Sequence, residues 1–134
     1  GVASRVRWLG QLPHHAVPAF LAALDVAVAP YPALEGFSFS PLKLYEYVAA
    51  GVPVVASDIG QVREVLDGGR LGSCVPPGDE RALALAIACA VGNPRRSREQ
   101  AALGRLLAFE SYGWDARARS VLEAIGGRVD ALVG

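Results

Sequence analysis

Residues 30–57 read PYPALEGFSFSPLKLYEYVAAGVPVVAS, which predicts a long loop, a capped helix and then a buried strand. Ser40 is a suitable N-cap, and Pro41 fits the first helical position because its missing N–H would be unpaired there anyway. Gly51 can adopt the left-handed conformation that ends a helix, and Pro53 prevents the helix from resuming. This segment therefore predicts a strand–loop–helix–strand unit.

The predicted helix has two different faces. The arc expected to face the core contains Leu42, Leu44, Tyr45, Val48 and Ala49. The other arc contains Lys43, Tyr47 and Ala50, with Glu46 at the margin beside Leu42. The N–H groups of the first turn, including those of Leu42 and Lys43, are expected to be free. They open onto a loop rich in Gly, Ser and Pro, which predicts an anion site.

The rest of the chain alternates short apolar segments with helical patterns. The predicted strands are 5–9, 25–29, 52–56 and 71–75, and the predicted helices are 13–24, 41–50, 59–66, 80–91, 94–110 and 114–125. Residues expected to face inward are Val17, Phe20, Leu21 and Leu24 in the first helix, and Val121, Leu122 and Ile125 share one side of the last. Asp79 is the expected N-cap of helix 80–91. This alternation predicts an α/β fold, a parallel sheet flanked by helices.

Composition restricts the class of protein. A chain of 134 residues suits one domain with its own core. Its 13 acidic and 13 basic residues balance, so no excess charge favours nucleic acid or an anionic membrane. No apolar run is long enough to form a transmembrane segment. The chain has no methionine and begins with Gly1, which indicates a processed product or, as we expect, a piece of a longer protein.

The cysteines and histidines suggest no metal site. Cys74 and Cys89 are expected to be buried free thiols, rather than a disulfide, by the redox logic of cytosolic enzymes. His14 and His15 are read as a loop pair before a helix, because no second pair of ligands stands at a suitable spacing. We therefore expect no bound metal.

The connection over 30–40 is unusually long and leaves the carboxyl end of a strand, where open α/β sheets bind their ligands. Lys43 and Glu46 lie one helical turn apart just after this loop. Phosphate at the helix end and ribose hydroxyls at Glu46 would together form a nucleotide site. The alternative is an exposed Lys43–Glu46 pair that contributes about 0.3 kcal/mol to stability. The spacing alone leaves both open.

Residues 39–57, FSPLKLYEYVAAGVPVVAS, strongly resemble the nucleotide-sugar segment of glycosyltransferase family 4. Weaker similarities lie in segments 6–10, 25–30, 60–65, 77–79 and 112–114. The resemblance implies a retaining enzyme of the GT-B fold, in which two Rossmann-like domains face a cleft. It implies that residues 1–134 are a single nucleotide-sugar-binding domain. This domain would be a partial C-terminal domain, lacking its first β-α unit and the N-terminal acceptor-binding domain.

The resemblance also implies roles for individual residues. Glu46 takes the place of the glutamate that holds the ribose hydroxyls. The family's other motif glutamate stands eight positions earlier, which is Ser38 in this chain, whereas Glu35 lies three residues before that position. The residues expected at the nucleotide sugar are Ser38, Phe39, Ser40, Leu42, Lys43 and Glu46. The loop over 10–13 resembles the one that lines the base.

The expected function is donor binding in a glycosyltransferase that moves a sugar from a nucleoside-diphosphate sugar to an acceptor hydroxyl. The donor is a substrate, and no cofactor is expected. The expected location is cytoplasmic, with peripheral membrane attachment through the missing domain left open. Alone, the chain is expected to bind weakly and turn over nothing. Two alternatives remain: a non-catalytic interaction or regulatory module, which Ser38 slightly favours, and another GT-B user of nucleotide sugars such as an epimerase.

Overall fold

The computed structural model describes residues 1–34 and 40–133, with side chains as far as residue 126. Its strands are β1 (Ala27–Ala29), β2 (Val54–Ser57) and β3 (Ser73–Val75). Its α-helices are α1 (Val17–Ala22), α2 (Leu42–Ala50), α3 (Val62–Val65), α4 (Glu80–Gly92), α5 (Pro94–Leu107) and α6 (Trp114–Val133). Short 3₁₀ turns span Ala3–Arg5, His14–Ala16 and Asp67–Gly69, and a π-helix spans Ala108–Tyr112.

The three described strands form one parallel sheet in the order β1-β2-β3. Ala27 pairs with Val54 in the first ladder, and Val55 pairs with Ser73 in the second. All four residues of the central strand β2 are buried, as expected for a strand covered on both faces. The predicted α/β class, a parallel sheet flanked by helices, is confirmed.

Helix α2 packs against the sheet and ends as predicted. Leu44 and Val48 are buried in the main core cluster together with strand residues. Gly51 follows the helix with φ 71° and ψ 35°. The Val52 N–H donates to the Tyr47 carbonyl at 3.1 Å, which closes the last turn in the manner of a Schellman motif.

Residues 5–9 do not form the predicted strand. The Ala3–Arg5 turn is followed by extended, exposed chain, and Trp8 is 91% exposed. A strand needs a hydrogen-bonded neighbour, and none of the described strands lies beside this segment. The alternation of residue types over 5–9 was therefore not sufficient to form a strand. The described residues contain three strands, whereas four were predicted.

The predicted inner face of α1 is confirmed for Leu21, Val17 and Leu24, which pack in a core cluster, but not for Phe20. Phe20 is 37% exposed on the flank of α1, whereas the next residue, Leu21, is buried. On α6, Val121, Leu122 and Ile125 remain exposed. The predicted N-cap of α4 is confirmed, since Asp79 Oδ1 accepts a hydrogen bond from the Ala82 N–H at 2.8 Å.

Both cysteines are free thiols, as predicted, but they are not both buried. Cys74 is half-buried on β3, whereas Cys89 is exposed on α4. Cys89 is exposed because the apolar sequence of α4 extends all round the helix, and no residue of α4 is fully buried. Among the described helices, none combines the length and apolar character needed to cross a membrane.

Candidate functional site

The loops at the carboxyl edge of the sheet are tied to one another. The Tyr31 N–H, at the start of the long loop, donates to Ser57 Oγ at the end of β2 at 2.9 Å. The Gly78 N–H, in the loop after β3, donates to the Tyr31 carbonyl at 3.2 Å. Ser57 is only 3% exposed. The beginning of the long loop is therefore fixed to the two strands beside it.

Three predicted residues of the long loop lie outside the described part of the chain. These are Glu35, Ser38 and Phe39. The predicted roles of Ser38 and Phe39 at the nucleotide sugar stay predictions. The structure does describe Ser40, which is exposed at the end of this loop, directly before the buried Pro41.

The first turn of α2 differs from the prediction. Pro41 occupies the N-cap position with φ −81° and ψ 69°, and no side chain caps the helix. Ser40 is therefore not the N-cap, because the non-helical backbone of Pro41 delays the helix by one residue. The Leu42 N–H, predicted to be free, donates to the Ser40 carbonyl at 2.9 Å. The anion site was predicted to use the free N–H groups of Leu42 and Lys43. The N–H of Leu42 is therefore already hydrogen-bonded within the chain.

The buried face of α2 is centred between Leu44 and Val48. Residues four apart are separated by about 40° around a helix, so these two side chains point in nearly the same direction. Tyr45 and Tyr47 flank them and are half-buried. Leu42 lies on the far side and is 68% exposed. The prediction wrongly assigned Leu42 to the core and Tyr47 to the outer arc.

The outer face of α2 carries Lys43 and Glu46, both exposed. Neither forms an ion pair or a side-chain hydrogen bond with another residue of the described part of the chain. The alternative of a Lys43–Glu46 ion pair is therefore wrong for this structure. Both charged groups are directed to solvent, where a ligand can reach them.

Tyr47 lies next to this charged face. Burial raises the pKa of its hydroxyl, and the neighbouring Tyr31 and Glu46 raise it further. Tyr31 and Tyr47 both pack against the main core cluster. Tyr47 thus stays a neutral phenol beside the glutamate.

A second tyrosine pair holds α2 from the other side. The rings of Tyr45 and Tyr112 meet edge to face with centroids 5.2 Å apart. The Tyr112 hydroxyl donates to the Val65 carbonyl at 3.5 Å. Burial raises the pKa of Tyr112, with smaller contributions from Tyr45 and Asp67. The π-helix therefore supports the helix that presents Glu46 and Lys43.

A pocket of about 320 Å³ lies between α1 and α2, beside Glu46. Its walls are mostly apolar. The lining residues are His14, Val17, Pro18, Leu21, Glu46, Ala49 and Ala50. The expected base-binding loop over 10–13 leads directly into His14, and Gly10 turns with a positive φ of 67°. A ligand that reaches Glu46 thus has an apolar recess next to it.

A smaller pocket of about 280 Å³ lies at the carboxyl edge of the sheet. It is lined by residues of the tied loops: Pro30, Tyr31, Pro32, Ser57, Gly78, Asp79, Glu80 and Leu83. Beside β2, Arg63 Nε donates to Asp58 Oδ2 at 2.9 Å, and this carboxylate raises the pKa of the Arg63 guanidinium. No group of three His, Cys, Asp or Glu residues suited to a metal ion occurs in the described chain.

Sequence reasoning missed the roles of Ser57 and Tyr31 in fixing the long loop, and the place of His14 in the pocket. A small polar residue at the end of an apolar strand was the available signal for Ser57. The sequence pattern indicates that His14 belongs to a loop pair before a helix, and it does not indicate a pocket. Its distance from Glu46 along the chain hid the fact that both line one pocket.

Comparison with known proteins decides the family. A family model described as "Glycosyl transferases group 1" matches residues 1–93. The chain belongs to this family. The resemblance found in residues 39–57 is thereby confirmed, together with the Rossmann-like fold of the GT-B type.

Several relatives of the chain are mannosyltransferases by name. It is 36% identical over 122 residues to "Phosphatidyl-myo-inositol mannosyltransferase" of Mycobacterium leprae, a match covering 91% of this chain and 32% of the relative. It is 32% identical over 123 residues to "Lipopolysaccharide core biosynthesis mannosyltransferase LpsB" of Rhizobium meliloti, covering 90% and 33%. The chain spans about a third of the length of these relatives.

Solved structures agree on the fold. Sucrose-phosphate synthase from Thermosynechococcus elongatus superposes with a TM-score of 0.78 and 30% identity, over 97% of this chain and 32% of that one. Anabaena HepE, solved in complex with UDP, superposes with a TM-score of 0.68 and 23% identity, over 83% and 30%. At that identity the second likeness concerns the fold alone.

Proposed function

We propose that this chain is the donor-binding part of a retaining glycosyltransferase, which moves a sugar from a nucleoside-diphosphate sugar to an acceptor hydroxyl. Membership of the group 1 family supports the reaction class. The observation that carries the proposal is on α2, where Glu46 and Lys43 are exposed and unpaired within the described chain, and Glu46 also lines a pocket. Such unengaged charges suit a ligand with hydroxyl and phosphate groups.

The proposed donor lies along the outer face of α2. Lys43 and Glu46 are three residues apart, which corresponds to a rise of about 4.5 Å along the helix axis. The diphosphate faces the N-terminal end of α2, where the helix dipole and the Lys43 ammonium both favour negative charge. The ribose hydroxyls donate to the Glu46 carboxylate. Ser40, with Ser38 and Phe39 of the preceding loop, completes the proposed phosphate end.

The chemistry proposed for this site is departure of the nucleoside diphosphate from the sugar. Negative charge develops on the leaving diphosphate, and the fixed dipole of α2 and the Lys43 cation stabilise it. A divalent metal is not part of the proposal, since these groups supply the positive potential. The acceptor hydroxyl that attacks the sugar belongs to a substrate held by a preceding, N-terminal domain. The proposed location is cytoplasmic, with any contact to a membrane made through that domain.

The test is a titration of the chain with uridine diphosphate and guanosine diphosphate, repeated with Glu46→Ala. Hydrogen bonds to a charged carboxylate contribute about 1.5–3 kcal/mol, so loss of Glu46 should weaken binding about 13- to 160-fold. Isothermal titration calorimetry or chemical-shift titration measures the affinity.

The matched control is Glu123→Ala, which removes an exposed carboxylate from α6. It should bind like the unmodified chain. If Glu46→Ala binds as tightly as the unmodified chain, Glu46 has no ribose role. If the unmodified chain binds neither nucleotide, the proposed donor-binding function is wrong.

A further inference from the structure

A cavity of about 290 Å³ extends from the amino-terminal ends of β2 and β3 to the corner between α4 and α5. Five of its lining residues come from these four elements: Val54, Ser73, Cys89, Arg96 and Gln100. Lys43 and Glu46, which carry the proposed donor, do not line it. The long loop leaves the opposite, carboxyl edge of the sheet. This cavity is therefore separate from the site already described.

Hydrogen bonds hold the walls of this cavity in place. Ser97 Oγ donates to the Ala90 carbonyl at 2.9 Å, which joins α5 to α4. Gln100 Nε2 donates to the Arg70 carbonyl at 3.3 Å, which joins α5 to the chain just before β3. The helices and the sheet are thus connected around the cavity by the chain itself, and a ligand would meet a site that is already formed.

Three polar groups of the lining have no partner among the described residues. The Arg96 guanidinium forms no ion pair there, whereas its neighbour Arg95, outside the cavity, binds Glu99 at 3.0 Å. The hydroxyl of Ser73, which is half-buried on β3, forms no hydrogen bond there. Gln100 uses only its Nε2, so its Oε1 is also unengaged. The cavity thus offers a cation, a hydroxyl and an amide oxygen to a ligand.

These groups define the chemistry of the ligand. The planar guanidinium of Arg96 can bind a phosphate or a carboxylate through two parallel hydrogen bonds. A hydroxyl both donates and accepts, and an amide oxygen accepts, so Ser73 and Gln100 suit the hydroxyl groups of a ligand. No Asp or Glu stands among the described residues of the lining, so none of them repels an anion. Ligand pockets usually measure about 300–1,000 Å³, so a cavity of about 290 Å³ suits a small molecule.

We propose that this cavity binds a small polyhydroxylated oxyanion, with its charged group at Arg96 and its hydroxyl groups at Ser73 and Gln100. A sugar phosphate and a sugar acid both have this chemistry. The side chains of Val54 and Leu71 supply an apolar surface for the carbon skeleton of the ligand. The proposal does not depend on the donor site, since the two sites share no residue. We therefore expect a nucleotide and the oxyanion to bind at the same time.

The probes are glucose 6-phosphate and gluconate, compared with glucose, which has no charge, and inorganic phosphate, which has no hydroxylated carbon skeleton. Each is titrated into the isotope-labelled 134-residue chain, and the amide chemical shifts report both affinity and location. At least one of the two charged sugars should bind more tightly than glucose and inorganic phosphate, with shifts centred on the amides of Ser73, Cys89, Arg96 and Gln100. The tighter of the two identifies phosphate or carboxylate as the preferred group.

Three variants assign the contacts. Arg96→Gln should lower the affinity about 13-fold, the lower end for a hydrogen bond to a charged group, because Arg96 is exposed and water screens it. The matched control is Arg98→Gln, which removes the same charge two residues further along α5, outside this cavity. It should bind like the unmodified chain. Ser73→Ala should lower the affinity about 2- to 13-fold, as expected for one neutral hydrogen bond.

Several outcomes would overturn this inference. It is wrong if neither charged sugar binds, or if neither binds more tightly than inorganic phosphate. Equal losses in Arg96→Gln and Arg98→Gln would indicate general attraction of an anion to α5 without a site. Shifts confined to α2, or displacement of the probe by uridine diphosphate, would place the probe at the donor site instead. If the chain binds a charged sugar in this cavity but no nucleotide, the donor proposal fails and this inference stands.

Discussion

Ser57 shows how much of the candidate site depends on one small side chain. It is buried at the end of β2, and its hydroxyl accepts the hydrogen bond that fixes the backbone of Tyr31. Its role was not predicted, because its hydrogen-bond partner, the Tyr31 N–H, lies 26 residues away in the sequence. By contrast, the left-handed Gly51 was predicted correctly, since a glycine followed closely by proline is a local signature of a helix end.

We expect Ser57→Ala to lower the free energy of unfolding by about 1 kcal/mol, because it removes one buried hydrogen bond. Urea denaturation followed by circular dichroism measures the change. Ser73→Ala is the control, since Ser73 is half-buried on β3 without a described side-chain hydrogen bond. Equal losses in the two variants would mean that the hydroxyl of Ser57 is not what stabilises the loop.

A second expectation at this scale concerns Gly72. A Cβ there would lie 2.8 Å from the Val54 carbonyl oxygen, so Gly72→Ala forces β2 and β3 apart. We expect a loss of about 1–3 kcal/mol in unfolding free energy, the usual range for overpacking. Gly92→Ala is the control because a Cβ at that position meets no atom within 4 Å. A Gly72→Ala protein as stable as the control would contradict the close approach of the strands.

Among the elements, α2 was predicted to within one residue at its start, but its orientation was not. The helical pattern of the sequence places Leu42 on the arc predicted to face the core, because leucine is apolar. The arc that packs on the sheet runs instead from Tyr47 to Tyr45. Tyrosine can occupy such an arc because its ring can be buried while its hydroxyl keeps contact with water. The position of the sheet relative to a helix is a long-range property, so composition alone could not decide it.

Helix α4 allows a direct test of capping. Asp79→Ala removes the side chain that accepts from the Ala82 N–H, and we expect a loss of about 1 kcal/mol in unfolding free energy. Asp79→Asn is the matched variant, because asparagine caps about as well as aspartate and should recover most of the stability. Thermal and urea denaturation of the three proteins measure this. If Asp79→Ala and Asp79→Asn lose the same unfolding free energy, the negative charge of Asp79 stabilises the helix and its capping hydrogen bond does not.

For the whole molecule, the α/β class and the parallel sheet were predictable, because buried strands alternating with helices leave few other arrangements. The predicted strand over 5–9 failed for a different reason. Its local pattern suits a strand, but pairing requires a neighbour, and the described chain supplies none beside it. A pocket is also formed by residues that are distant in the sequence. The sequence therefore offered no indication that His14 and Glu46 line the same pocket.

The stability of the whole molecule should decrease at alkaline pH. Burial raises the pKa of Cys74 above its usual 9.0 and the pKa values of Tyr47 and Tyr112 above their usual 10.0. As the pH rises, the unfolded chain therefore releases these protons before the folded chain does. The contribution of these three groups to the unfolding free energy is constant below about pH 9 and decreases above it. Urea denaturation between about pH 8 and about pH 11 measures this.

The variants for that experiment are Cys74→Ala and its control Cys89→Ala. Removal of the half-buried thiol should make the fall between about pH 9 and about pH 10 shallower. Removal of the exposed thiol of Cys89 should keep the original slope. An unchanged slope in Cys74→Ala would show that ionisation of this thiol is not linked to unfolding.

Lys43 has a practical consequence for anyone who studies this chain in solution. It is the single lysine among 134 residues, against twelve arginines, and its ammonium is exposed on α2. Arginine stays protonated under conditions in which lysine reacts with acylating reagents. Apart from the terminal amine, a fluorescent dye would therefore attach at one position, one helical turn from Glu46. The chain thus carries its own labelling site, and a molecule that binds over Lys43 would slow the labelling reaction.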